Sequence, residues 1–408
     1  MLPAHRTTAW TPVLDGALAD QARIALANTV DAIAREPIDR GRPDRLVVFW
    51  SYALTVFSDA RFEEAYALAV ERLLADLRPD ANPGLYGGLA GAGWALAHVS
   101  EDDADDDDGD EVLRWIDEVL LDTLSPGPWH GPYDLIEGLT GIGIYFLERT
   151  ANGGGGVSAR RGLDRVIHHL DALAAPTPTG VSFHTRPELL PEWQRPHCPE
   201  GQYNCGVAHG VPGVIAFLAR VAARDGESSR AASLCHEAMR WLRAQDLGPD
   251  PRGRFPAWVA PTRASARTRA AWCYGDPGIA VALWAAALRI GAPADDWHRL
   301  ALECAARPST LSDVADPHLC HGAIGLAHLF NRCYQASGDT RFRDASRTWF
   351  AHGLAMPPTA APLSATSDDI LEGEAGVGLA LLAAIRDDEP GWDRLLAADL
   401  PPGASRAR

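Results

Sequence analysis

The sequence predicts an all-α fold, an α/α toroid in which seven apolar inner helices are surrounded by seven amphipathic outer ones. Three observations predict it. One phrase, glycine, two residues, glycine and then an apolar run, occurs six times along the 408 residues. Amphipathic stretches of helical period lie between the occurrences. Alanine and leucine dominate throughout, while alternating β-branched runs are scarce, so a sheet reading is weak.

The units follow in order. Upstream, "RLVVFWSYALTVF" from Arg45 takes the place of an apolar run but lacks the glycines. Then come "GLAGAGWALAH" from Gly88, "GLTGIGIYFLE" from Gly138, "GVPGVIAFLA" from Gly210, "GDPGIAVALWAAA" from Gly275, "GAIGLAHLF" from Gly322 and "GEAGVGLALLAA" from Gly373. Their spacings of 50, 72, 65, 47 and 51 residues each accommodate two helices and their loops. Of the amphipathic partners, "DARFEEAYALAVERLLADL" (59–77) repeats Phe62, Ala65, Leu68, Ala69 and Leu73 near helical spacing, and "SSRAASLCHEAMRWLRAQ" (228–245) is a second example. An open solenoid would need polar capping repeats. "LEGEAGVGLALLAAI" near the C-terminus is as apolar as the central units, which favours closure into a ring and one domain over 1–408.

Composition narrows the function. Apolar residues make up 47% and charged residues 22%, as in a globular protein with a sizeable core. A net charge of −17 argues against nucleic acid or an anionic membrane surface as partner. The acidic run "EDDADDDDGDE" at 101–111 reads as a solvated loop. No run approaches the roughly 20 apolar residues of a membrane span, and "MLPAHRTTAWTPVLDG" lacks the pattern of a secretion signal. The cytoplasm is the expected location. Seven scattered cysteines fit a reduced chain better than a disulfide framework.

If every apolar run is entered through its glycine turn at the same end, side chains beside the turns converge although they are distant in sequence. "YDLIEGLTG" brings Asp134, "NCGVAHGVPG" His209, "RAAWCYGDPG" Arg269, Cys273 and Tyr274, and "HLCHGAIG" Cys320 and His321. The other two turns offer little beyond Tyr86, Glu372 and Glu374. Thiolate and imidazole are preferred zinc ligands, and a catalytic zinc keeps three protein ligands and one open position. Cys273, Cys320 and His321, equivalently placed in adjacent units, make such a set. Cys205 and the pair His197–Cys198 are second choices, since none abuts a repeat glycine; Cys235, Cys304 and Cys333 read as small buried hydrophobes. Taken singly, Asp134 is more simply a helix N-cap, His209 a structural histidine, Arg269 a balance for nearby acids and Tyr274 a core residue. As a polar group on the metal face, they make His209 the candidate acid or base.

"YDLIEGLTGIG", "NCGVAHGVPG", "WCYGDPG" and "CHGAIG", with the turns "LYGGLAGAGWALAH" and "LEGEAGVGLAL", resemble the lanthionine synthetase C proteins, the lanthipeptide cyclases, over about residues 15 to 395. No dehydratase or kinase segment precedes them, so the resemblance is to the stand-alone form. It implies an α/α toroid of seven inner and seven outer helices, and one zinc per chain on Cys273, Cys320 and His321. It implies active-site roles for Asp134, His209, Arg269 and Tyr274. The chain departs from the family pattern in the missing first glycines, the acidic 101–111 segment and "NGGGG" at 152–156, none of which touches the metal motif.

The implied reaction is Michael-type addition of a precursor-peptide cysteine thiol to dehydroalanine or dehydrobutyrine, the dehydrated precursor coming from a separate dehydratase. A zinc-held thiol is a thiolate at neutral pH, where a free thiol of pKa ~8.5 is mostly protonated. By the resemblance His209 handles the proton for the α-carbon, Asp134 orients it and Arg269 stabilises charge. Three alternatives stand beside this reading: addition of glutathione to dehydroamino acids, a non-catalytic peptide-binding scaffold, and a protein prenyltransferase β-subunit. The last would need an α-subunit and a cluster of basic residues beside the turns, and no such cluster is present.

Overall fold

The computed structural model describes residues 10–36, 42–100, 107–125, 127–151, 156–226, 228–260, 263–356 and 369–402. Fourteen α-helices occur among them. Seven correspond to the apolar runs: α2 (Pro43–Ala53), α4 (Leu89–Val99), α6 (Leu139–Ala151), α8 (Val211–Asp225), α10 (Asp276–Arg289), α12 (Ala323–Ser337) and α14 (Glu374–Ile385). Seven correspond to the amphipathic partners: α1 (Gly16–Arg35), α3 (Ala60–Ala75), α5 (Asp107–Thr123), α7 (Gly156–Leu173), α9 (Arg230–Arg243), α11 (Asp295–Ala305) and α13 (Thr340–Ala355).

The two sets begin differently, for a physical reason. A helix leaves its first N–H groups without intrahelical partners. Three of the amphipathic helices meet this with side chains: Asp59 accepts from the Arg61 N–H, Ser229 from Ala232 and Asp339 from Arg341. The apolar helices use the turn before them. In α6 the N–H groups of Leu139, Thr140 and Gly141 donate to the carbonyls of Pro132, Tyr133 and Asp134 at 3.2, 3.1 and 3.2 Å. In α12, Ala323, Ile324 and Gly325 donate in the same way to Asp316, Pro317 and His318. The turn thus folds back over the helix start, and the second glycine sits against a carbonyl. A Cβ at Gly213 would lie inside 3.0 Å of the Val207 oxygen, and one at Gly278 inside 3.0 Å of the Trp272 oxygen. The repeated glycines are therefore demanded by close backbone approach.

The chain divides into two compact units. The first comprises Met1–Pro79, Ala95–Asp103 and Val314–Arg408. Within it α12 packs on α13 and α14, α1 on α14, and α2 between α3 and α14. The second comprises Asp80–Trp94 and Ala104–Asp313. Within it α6 packs on α7 and α8, α8 on α9 and α10, and α10 on α11. The apolar helices are buried almost all round: Val214, Ile215, Phe217 and Leu218 of α8 are fully buried, each removal from water worth about 1.5–3 kcal/mol.

Neighbouring turns are joined by one recurring bond. In the second unit Leu85 and Tyr86 donate to the Ile136 carbonyl, Leu135 to Ala208 and Val207 to Cys273; in the first, Cys320 donates to Leu371.

Three expectations change. The second unit holds a five-stranded antiparallel sheet, β1 (Ala174–Thr177), β2 (Gly180–Thr185), β3 (Gln202–Asn204), β4 (Trp258–Ala260) and β5 (Arg263–Ala264), in chain order. Its strands occupy the two longest repeat spacings and are too short to show an alternating pattern; β2 rests on α9. Residues 107–111 of the acidic run belong to α5 rather than to a loop, while 101–106 lie outside the described residues. Of the residues expected on the inward face of α3, Phe62, Ala69 and Leu73 are buried, but Leu68 is 45% exposed. No helix among the described residues is long and apolar enough to cross a membrane.

Candidate active site

The turn before α6 presents Asp134, which is buried, with its carboxylate held at both oxygens. Oδ1 accepts from the Glu137 N–H at 2.8 Å. Oδ2 lies 2.8 Å from Nδ1 of His209, on the turn before α8. An ionised carboxylate only accepts, so His209 Nδ1 carries the hydrogen and Nε2 is the nitrogen left to exchange protons. The His209 side chain is 39% exposed. Burial alone pushes its pKa down, but the hydrogen bond and charge of Asp134 outweigh that and raise it above the usual imidazole value. Asp134 thus closes its own turn and orients a histidine.

The third turn, before α10, adds Tyr274 and Cys273. Its backbone is stitched to the His209 turn by the Val207 N–H, which donates to the Cys273 carbonyl at 2.8 Å. The Tyr274 ring lies nearly parallel to the His209 imidazole, with centroids 6.3 Å apart and planes 26° apart. Asn204 Nδ2 donates to the Tyr274 hydroxyl at 3.0 Å. Beneath this group Tyr133 is buried, its hydroxyl accepting from Thr185 Oγ1 at 3.4 Å, and burial pushes that phenol well above its ordinary pKa. Arg269 is exposed, on the same turn as Cys273 and Tyr274. The second unit therefore brings Asp134, His209 and Tyr274 together.

In the first unit, the turn before α12 carries Cys320, buried, and His321, half-buried. Asp316 stands between two imidazoles, 3.2 Å from His318 Nδ1 and 3.5 Å from His321 Nε2. Burial opposes ionisation of Asp316, yet its bonds to His318 and the nearby His321 charge bring its pKa below the usual carboxylate value. A carboxylate on one ring nitrogen is the usual companion of a metal-binding histidine.

Of the second-choice thiols, Cys198 is buried and donates to Gln202 Oε1 at 3.4 Å, and Cys205 is buried with its thiol pushed up by desolvation. Cys235, Cys304 and Cys333 are buried on α9, α11 and α12, as small hydrophobes would be. Sequence reasoning missed Asn204 and Asp316. Both stand in the motifs "NCGVAHG" and "ADPHLCHG", with the short side-chain amide or carboxylate that binds a backbone N–H two residues on.

Comparison with known proteins places this arrangement. No curated protein matches the chain. Among solved structures, nisin cyclase is 20% identical, with a TM-score of 0.73 over 93% of this chain and 97% of that one. At that identity the likeness establishes the fold, the α/α toroid expected from the repeats. A family model described as lanthionine synthetase C-like protein matches residues 46–397, from α2 to beyond α14. With all six glycine turns inside that span, the chain belongs to the lanthionine synthetase C-like family.

Proposed function

We propose that residues 1–408 act as a zinc-dependent lanthipeptide cyclase, adding cysteine thiols of a dehydrated precursor peptide to dehydroalanine or dehydrobutyrine to form thioether rings. The observation that carries this reading is the His209–Asp134 pair, one backbone hydrogen bond from the turn of Cys273. Family membership and the fold of nisin cyclase support it.

Cys273, Cys320 and His321 would hold one zinc. Two thiols and an imidazole are the donor set this ion prefers, with a fourth position left for substrate. Both cysteines are buried. His321 Nε2 faces Asp316, the kind of carboxylate contact that accompanies a metal-binding histidine. When bound, zinc would supply a Lewis acid that keeps the substrate thiol as thiolate at neutral pH.

The chain's own residues handle the remaining charges and protons. An S–Cβ bond forms, the C=C π pair moves onto the carbonyl as an enolate, and the α-carbon then takes one proton in place of the one the thiol released. His209 holds a proton at Nε2 for that transfer, with Asp134 fixing the ring through Nδ1. Arg269, exposed on the neighbouring turn, is the cation suited to the enolate oxygen. Such a substrate requires a separate dehydratase to act first on serine or threonine residues of the precursor.

Elemental analysis and a thiol count test this together. The purified chain should carry one zinc and consume the free cysteine of a dehydroalanine-containing peptide at constant mass, read by alkylation and mass spectrometry. Cys273→Ala and Cys320→Ala should lose metal and turnover. Full zinc in both variants would sink the ligand set, and undiminished free thiol with the zinc-loaded wild-type chain would sink the cyclase reading.

A further inference from the structure

We propose that Asn204 is a positioning residue for Tyr274, holding the phenol oxygen as an acceptor so that its O–H is presented as a donor beside His209. The inference rests on the cyclase reading above and deepens it, adding a residue that the sequence did not single out.

Asn204 is the last residue of β3 and is only 3% exposed. Its backbone is clamped by pairing with Trp258 of β4. An asparagine amide alone can face either way, but here Oδ1 accepts from the Gly206 N–H at 2.8 Å, so the other end is the NH2 group. That NH2 donates to Tyr274 Oη at 3.0 Å. A phenol oxygen that accepts on one side must direct its single hydrogen elsewhere.

The ring is held at three places. Asn204 ties the oxygen, the His209 imidazole lies along one face, and the Gly206 backbone lies against its edge. A Cβ at Gly206 would fall 2.6 Å from Cδ1 of Tyr274 and 2.6 Å from the Cys273 carbonyl oxygen. The glycine after Cys205 is thus required by the tyrosine. A hydroxyl held through its oxygen, on a ring stacked 6.3 Å from the His209 imidazole, suits hydrogen-bond donation to a developing enolate, which is best stabilised by donors held in place beforehand.

Asn204→Asp separates positioning from mere structure. It keeps an Oδ1 acceptor for the Gly206 N–H but replaces the donor with an acceptor, turning the phenol hydrogen back toward residue 204. With a dehydroalanine peptide bearing one cysteine, we expect kcat to fall about tenfold with KM unchanged, the scale of one ordinary hydrogen bond. In a Tyr274→Phe background the same change should cost nothing further, because the effect passes through the hydroxyl. Equal losses in both backgrounds, or a loss confined to KM, would overturn the proposal. A second readout does not depend on turnover. In a chain labelled with 13C at tyrosine Cζ, the Tyr274 resonance, identified by its absence in Tyr274→Phe, should move in Asn204→Asp. An unmoved resonance would also overturn the proposal. A moved resonance in a chain that cyclises nothing would support the positioning and sink only the cyclase reading.

Discussion

Each unit holds a close histidine–aspartate pair in contrasting surroundings, His328–Asp393 in the first and His209–Asp134 in the second. In the first unit His328 Nε2 lies 2.7 Å from Asp393, with side-chain exposures of 1% and 0%. Asp393 also receives Arg332 at both oxygens, each at 2.6 Å, and Trp392 packs on the imidazole at 4.7 Å. Burial would push the Asp393 carboxyl up, but the Arg332 guanidinium and His328 hold it far below the usual carboxylate range. In the second unit the same two residue types meet at 2.8 Å, yet His209 is 39% exposed, and Asp134 has a backbone N–H where Asp393 has an arginine. Similar contact distances therefore say little about role. A fully buried pair packed against one indole and held by a guanidinium is suited to brace the fold, whereas a pair whose imidazole is partly exposed can pass a proton.

The sharpest way to break this contrast is to exchange the expected phenotypes. His209→Ala should retain zinc and fold yet slow cyclisation by about 10²–10⁴, the range for a lost acid–base group. Its thermal midpoint should stay close to wild type, because the ring is partly exposed. Asp393→Asn should do the reverse. It leaves His328 buried without its anion and Arg332 with Glu389 alone, a loss of about 3–5 kcal/mol of stability, while the folded fraction turns over at the wild-type rate. Differential scanning calorimetry beside the alkylation assay reads both. A destabilised His209→Ala with unaltered thiol consumption would reverse the assignment of the two pairs.

Much of this was legible in the sequence. The glycine phrase was, because its glycines answer backbone contacts within their own turns, as Gly278 does to Trp272. The amphipathic helices were, through apolar residues at helical spacing such as Phe62, Ala69 and Leu73, which are buried on α3. The sheet was not, since strands of two to six residues carry no readable period and are held by pairings such as Tyr203 with Val259, far apart in the chain. Among site residues, Asp134, His209 and Tyr274 could be nominated by residue type and position in their turns. Their partnership could not, because it joins positions 75 residues apart, and Asn204 escaped notice because its partner lies 70 residues away. Nothing in the spacing of His328 and Asp393, 65 residues apart, announces a brace.

A smaller effect sharpens the chemical half of the comparison. Asp134→Asn keeps Oδ1 as acceptor for the Glu137 N–H, so the turn should survive. The amide NH2 would then face His209 Nδ1, favouring the tautomer with hydrogen on Nε2 and weakening the hold on the imidazolium. We expect turnover to fall by about tenfold to a hundredfold, less than for His209→Ala, with zinc unchanged. Loss of metal from this variant would show that Asp134 supports the ligand set instead of the histidine.

The smallest effect concerns acid, and it bears on the brace alone. Asp393 has a folded pKa below its unfolded value of about 3.9. The sign follows from proton binding: below pH ~4 the unfolded chain takes up a proton at this site that the folded chain refuses, so stability falls as pH falls. Above that range the contribution is constant, and between pH 7 and 5 Asp393 should impose no slope. Below pH 4 it adds a slope of at most about 1.4 kcal/mol per pH unit. Other carboxylates with lowered pKa, such as Asp246 beside Arg254, contribute in the same direction, so the informative quantity is a difference between variants. Denaturant titrations from pH 6 to 3 should show a shallower acid slope in Asp393→Asn than in wild type, and an unchanged one in His209→Ala. Equal slopes in wild type and Asp393→Asn would mean that Asp393 titrates alike in the folded and unfolded chains, and that Arg332 does not hold it ionised.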